Sequence, residues 1–127
     1  MIRFASAGED RTKVVSALTQ IEARSAICRL RKEKKLTGEQ VSAAVDALDG
    51  DMRRMIQQPI LPPVLEAANI MVECHYLRAL DAVQLACAIV ARDLMKAPDM
   101  RFIASDKELL AAARKEGFAI WDPTDSA

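Results

Sequence analysis

The chain has 127 residues, 51% of them hydrophobic, 28% charged and only 4% aromatic. That length suits one domain, spanning 1-127, and the shortage of aromatics points to an aliphatic, Ala-rich core built mainly from helices. Eighteen basic and 18 acidic side chains cancel, which excludes a global basic field and leaves only local patches for nucleic acid.

The cysteines, Cys28, Cys74 and Cys87, are odd in number and lack metal-ligand spacing. They read as small core residues in a reducing compartment. No apolar run reaches the roughly 18 residues of a membrane span, and no charged-then-apolar leader opens the chain. The expectation is a cytoplasmic protein with no membrane partner.

In chain order, "VVSA" within residues 13–17 predicts a short strand. Thr19-Gln20-Ile21-Glu22 is a capping box opening a helix over residues 20–33, with Ile21, Ile27, Cys28 and Leu30 as its apolar positions. Thr37-Gly38-Glu39-Gln40 opens a second helix reaching residue 57, with Val41, Ala44, Val45, Leu48, Met52 and Met55 along one face. "QQPILPP" breaks it, leaving room for a short extended piece. A helix over 63–74 follows, with Pro62 or Pro63 in its first turn. The stretch "LRALDAVQLACAIVARDL" predicts a helix over 80–95. Between Ala79 and Ala91 its only polar side chains are Asp81 and Gln84, on one face. "RFIA" reads as a buried strand. Ser105-Asp106-Lys107-Glu108 is a further capping box, whose helix Gly117 ends, and "FAIW" makes a last strand. Strand, helix, strand at this spacing is a right-handed crossover, so the class is α/β with a parallel sheet.

Glu22, Asp81 and Asp106 each fall in the first turn of a predicted helix, and Asp106 follows directly from a strand. Ligands of open α/β sheets bind at that carboxyl edge, and helix N-termini keep a carboxylate ionised for a hard cation. Each acid also has a structural reading. Glu22 is the expected fourth residue of a capping box, and Asp106 complements a helix dipole. Asp81 against apolar walls needs either a metal ion or a cation such as Arg78.

"VVSALTQIEARSAICRL", "LRALDAVQLACAIV" and "RFIASDKELLAAARKEGF", in this order and spacing, resemble a PIN domain of the VapC toxin type. The resemblance covers roughly residues 14–123. It implies a three-layer fold, a short parallel sheet flanked by helices, and a Mg²⁺- or Mn²⁺-dependent endoribonuclease of a toxin–antitoxin system. Glu22, Asp81 and Asp106 would match the family's second, third and fourth acids, holding the metal, and Ser105 the small hydroxyl residue beside the last. Gln84 would orient a ligand water or close the site. RNA substrate, an antitoxin peptide and a homodimer are the implied partners, and Arg24 and Arg78 are candidates for phosphate contact or for pairing with the acids.

The chain departs from the family pattern at its start. "MIRFASAGEDRTKVV" has no strand ending in the first acid; "IRFASA" as a substitute puts Ala5 and Ser6 there, and Glu9 and Asp10 are the nearest carboxylates. The expectation is an N-terminally shortened or degenerate member, with the central strand missing or replaced and activity impaired. The alternative is a non-catalytic module for antitoxin binding or dimerisation; RNA binding without hydrolysis is a third reading. The gap would be filled by residues 1–7, by the same segment of a second copy, or by a closed-up sheet.

The remaining features read as structural. The basic run "RLRKEKK" is a solvated helix end, and His75 and Tyr76 are surface or interface residues. The methionines fall at core-like spacings. If the three acids converge, at least one carboxylate pKa should be raised without metal.

Overall fold

A computed structural model describes residues 12–125 and the backbone of residues 3–5. Along the chain run β1 (Arg3–Ala5), β2 (Lys13–Ser16), α1 (Thr19–Lys32), α2 (Gly38–Arg53), β3 (Ile56–Gln58), α3 (Pro62–His75), α4 (Ala79–Met95), β4 (Arg101–Ile103), α5 (Lys107–Lys115) and β5 (Ala119–Trp121). The class is α/β, as the alternation of elements predicts.

The sheet has five strands in the order β3-β2-β1-β4-β5. β2 pairs with β3, and β4 with β5, in parallel. β1 lies between the two pairs and runs antiparallel to both β2 and β4. The expected all-parallel sheet is therefore a mixed one. The reason is the length of the first connection. Residues 6–12 are all that separates β1 from β2, whereas parallel neighbours need a crossover of about a dozen residues or more. The chain's own N-terminal segment thus takes the central place, but reversed. Ala5 sits beside Lys13 and Arg101, at the opposite end from the carboxyl ends of β2 and β4, and Arg3 sits beside Ile103. The expectation that Ala5 would stand where an acid belongs is corrected accordingly. Ser6, Glu9 and Asp10 lie outside the described residues.

Successive side chains of a strand face opposite ways. Val14 joins a large core with Val64, Met71, Leu85, Phe102 and Leu109, and Val15 joins a second core with Leu48 and Met52. Helices therefore cover β2 on both faces. Full burial of side chains such as Leu85 and Phe102 contributes about 1.5–3 kcal/mol each. Helix α4 supplies Ala82, Ala86, Ala88 and Ala91 to the large core, small residues that let α3 and the sheet approach closely. Among the described residues no single helix is long and apolar enough to cross a membrane.

Three boundaries differ from expectation. α2 keeps its capping box, with Thr37 and Gln40 bonded reciprocally, but it stops at Arg53. Residues 56–58 pair with Val14, Val15 and Ser16 instead, a tertiary demand that overrides helix propensity. α1 begins at Thr19, with Leu18 as an N-cap that makes no side-chain bond, so the expected Thr19–Glu22 box does not form. α5 begins after Asp106, whose carboxylate caps it by accepting the Leu109 N–H at 3.0 Å; Ser105 is not the cap. Gly117 ends α5 as predicted, at φ +94°, and the Phe118 N–H closes the turn onto the Ala113 carbonyl.

Cys87 is buried, but Cys28 and Cys74 are exposed, and Met95 is exposed too. These three lie on outward faces that apolar periodicity alone assigned to the core. His75 is largely buried and bonds Glu116 at 2.7 Å, pinning the end of α3 to the end of α5. Tyr76 beside it is exposed, as expected.

A proline at position 4 removes a backbone donor from the centre of the sheet, where both neighbours are paired. Phe4→Pro should therefore destabilise the chain, lowering its urea unfolding midpoint. An unchanged midpoint would show that β1 does not hold the sheet together.

Candidate functional site

Parallel strands β2 and β4 end on the same edge of the sheet, and the three sequence-predicted acids gather there. Glu22 lies in the first turn of α1, which follows β2, and Asp106 caps α5, which follows β4. Asp81 lies in the first turn of α4. α1 and α5 begin near this edge because short loops lead into them from β2 and β4, and the free N–H groups of a helix start favour negative charge.

Burial is the largest cause raising the Asp81 pKa above its ordinary value, followed by repulsion from Asp106. Arg78 offsets part of this, and Glu108 adds repulsion. A raised carboxylate is thus found at Asp81, but burial is its main cause, repulsion from Asp106 comes second, and Glu22 has no part in it. The pairing of Asp81 with Arg78 does not form. Arg78 is exposed, and among the described residues no cation lies within salt-bridge reach of Asp81.

Gln84, one turn after Asp81, donates from Nε2 to Glu22 Oε1 and so ties α4 to α1. Asp106 has one oxygen committed to the Leu109 N–H, leaving the other for a ligand. Ser105 is exposed beside it. Convergence is incomplete, however: among the described residues, no three His, Cys, Asp or Glu side chains group closely enough to hold one metal ion. The central strand contributes no acid, because its reversal brings Arg3 rather than Ala5 to this edge.

Arg24 does not join the acids. It pairs with Asp49 at 2.5 Å, and Gln20 donates to the same oxygen at 2.8 Å. These contacts, with Gln20 first, hold the Asp49 carboxyl below its ordinary range. Asp49 lies one residue past Leu48 on the rim of the apolar stripe of α2, but which helix that rim meets is a tertiary matter. The basic run 29–35 is exposed throughout, as its solvated reading predicts.

Beside Glu22 runs an open groove of about 370 Å³ lined by Leu18, Ile21, Ala26, Arg29 and Leu80. Ile21 and Leu80 are more than half exposed there, at 66% and 52%. A larger hollow of about 610 Å³ lies between α5 and β5, lined by Lys107, Arg114, Asp122 and neighbours, and includes none of the three acids.

The fit to a hard divalent cation rests on the donors. All are oxygens, as Mg²⁺ and Mn²⁺ require. Two buried oxygens, Thr19 Oγ1 and Gln84 Oε1, also have no hydrogen-bond partner among the described residues.

A raised carboxyl pKa favours the folded chain only while the group is protonated. Its stabilising share is present below the ordinary value of 3.8 and is lost as pH rises through the folded value. Asp81→Asn removes that loss. In EDTA at neutral pH the variant should melt at the same temperature as the parent or a few degrees higher, and the gap should close as pH falls toward 3.8. A loss of roughly 3–5 kcal/mol would instead mark Asp81 as half of a buried ion pair.

No protein-family model, curated protein or solved structure matches the chain.

Proposed function

We propose that the chain is a Mg²⁺- or Mn²⁺-dependent endoribonuclease of the PIN-domain toxin class, with activity impaired by its altered central strand. The observation that carries this reading is the placing of Glu22, Asp81 and Asp106 toward one sheet edge, where half-buried Asp81 is repelled by Asp106, is only partly offset by Arg78 and has no salt-bridge partner among the described residues. A carboxylate so little compensated in such surroundings is costly, and a bound cation offsets the cost.

Glu22 and Asp81 would hold the ion, with Gln84 keeping the Glu22 carboxylate in place. Asp106 would contribute the oxygen its cap does not use. Such an ion lowers the pKa of a bound water and offsets charge on the scissile phosphate. Arg78, exposed at the N-cap of α4, would contact an RNA phosphate. Arg24 serves there only if it leaves Asp49. The groove with Ile21 and Leu80 would take the antitoxin peptide, whose seat beside Glu22 would also occlude the site. A cytoplasmic homodimer goes with this reading.

The rival reading is a non-catalytic module for antitoxin binding or dimerisation. It is favoured by the absence, among the described residues, of three acids grouped for one ion.

Purified chain incubated with RNA and Mn²⁺ should cleave slowly, and EDTA should abolish the cleavage. Glu22→Gln, Asp81→Asn and Asp106→Asn should each lower the rate by about 100-fold or more. Self-association with no chelator-sensitive cleavage would favour the module.

A further inference from the structure

The hollow between α5 and the edge strand β5, at about 610 Å³, falls within the size range of small-molecule sites. Its middle is apolar, floored by Leu110 and Ala111 of α5 and walled by Ile120 of β5. Its two ends differ in charge. Lys107 and Arg114 share one face of α5, two turns apart, which sets them about 10 Å from each other along the axis. At the Lys107 end the charge is already balanced. Asp122 lies there, its carboxyl held below the ordinary range by the Thr124 hydroxyl and N–H and, less strongly, by Lys107. Asp125, whose N–H bonds the Asp122 carbonyl, adds a second carboxylate and leaves that end net negative.

At the other end, Arg114 and Lys115 form no salt bridge among the described residues. The adjacent acid, Glu116, is spent on His75. Both cations suit the negative end of a helix, but that role does not require an apolar hollow beside them. We propose that the hollow binds a small amphipathic anion. Its apolar body would lie against Leu110, Ala111 and Ile120, and its phosphate or carboxylate head would meet Arg114 and Lys115. The reverse orientation would set the head against Asp122 and Asp125. Two neighbouring cations match a doubly charged phosphate monoester better than a singly charged carboxylate. The hollow includes none of the three acids, so this binding is independent of the nuclease reading.

Titration of the isotope-labelled full chain with octyl phosphate, octanoate, octanol and inorganic phosphate, followed by amide chemical shifts, tests the assignment. Octyl phosphate should move the Ala111 and Ile120 signals saturably. Octanol, which lacks the charged head, should bind about fivefold or more weakly. Inorganic phosphate, which lacks the apolar body, should not saturate the site at the same concentrations. Octyl phosphate binding tighter than octanoate identifies a phosphate head; octanoate binding as tightly or better identifies a carboxylate. Arg114→Gln combined with Lys115→Gln should bring octyl phosphate down to the affinity of octanol and leave that of octanol unchanged. Ala111→Leu, at an exposed helical position, should fill the hollow and abolish binding of every octyl compound without lowering the melting temperature.

Octanol binding as tightly as octyl phosphate overturns the assignment, as does equal movement of the Ile21 and Leu80 signals in the groove beside Glu22. Saturation by inorganic phosphate alone marks an adventitious ion and overturns it as well. So does unchanged affinity in Ala111→Leu, which places the ligand elsewhere, or the absence of saturable binding by either octyl anion.

Discussion

Within the sheet, the two parallel strand pairs meet only through β1. Its three residues, Arg3–Ala5, face β2 on one side and β4 on the other. Remove that ladder and each inner strand is left with backbone donors and acceptors facing an apolar interior, where water cannot satisfy them. Everything else is arranged around this short bridge. α4 packs its alanines into the core that spans β2 and β4, and α5 continues the same core toward Phe118. α1 and α2 close the other side around Val15, Leu48 and Met52.

The direction of that bridge also sets the chemistry of the edge. In an all-parallel sheet the central strand delivers its last residue to the side where helices begin. Here it delivers its first. The acids at the edge are therefore those that α1, α4 and α5 bring to their own N-terminal turns, and the sheet's centre adds none. Asp81 bears the consequence most directly, half-buried beside Asp106 with no salt-bridged cation among the described residues. Gln84 spends its amide nitrogen on Glu22, and its oxygen has no partner among the described residues.

Much of the architecture was legible in the residues because local signals carried it. Thr37 and Gln40 announce α2, Gly117 ends α5, and Pro62 opens α3. The alternation of strands and helices gave the class. Direction in the sheet was not legible, since "RFA" is the same short stretch whichever way it runs; the length of the next connection was the usable clue. The capping pattern at Thr19 misled because such a pattern specifies local bonding only, and packing drew the helix start one residue earlier. The same limit hid the Arg24–Asp49 pair, which depends on how α1 meets α2. Apolar periodicity likewise placed Cys28 and Cys74 inside, whereas both are exposed.

The reversed strand also bears on the order in which the molecule assembles. Phe4 meets Val14 ten residues along the chain, but meets Phe102 only after nearly the whole polypeptide has been made. Closing a short loop costs little conformational entropy, so the β1–β2 hairpin can form early and reversibly. β3 joins through the longer crossover of α1 and α2, and β4 pairs with β1 across the largest sequence separation in the sheet. A sheet built from crossovers alone would have no such local start. In this chain, the strand at the geometric centre is thus among the first able to find a partner and the last to be enclosed.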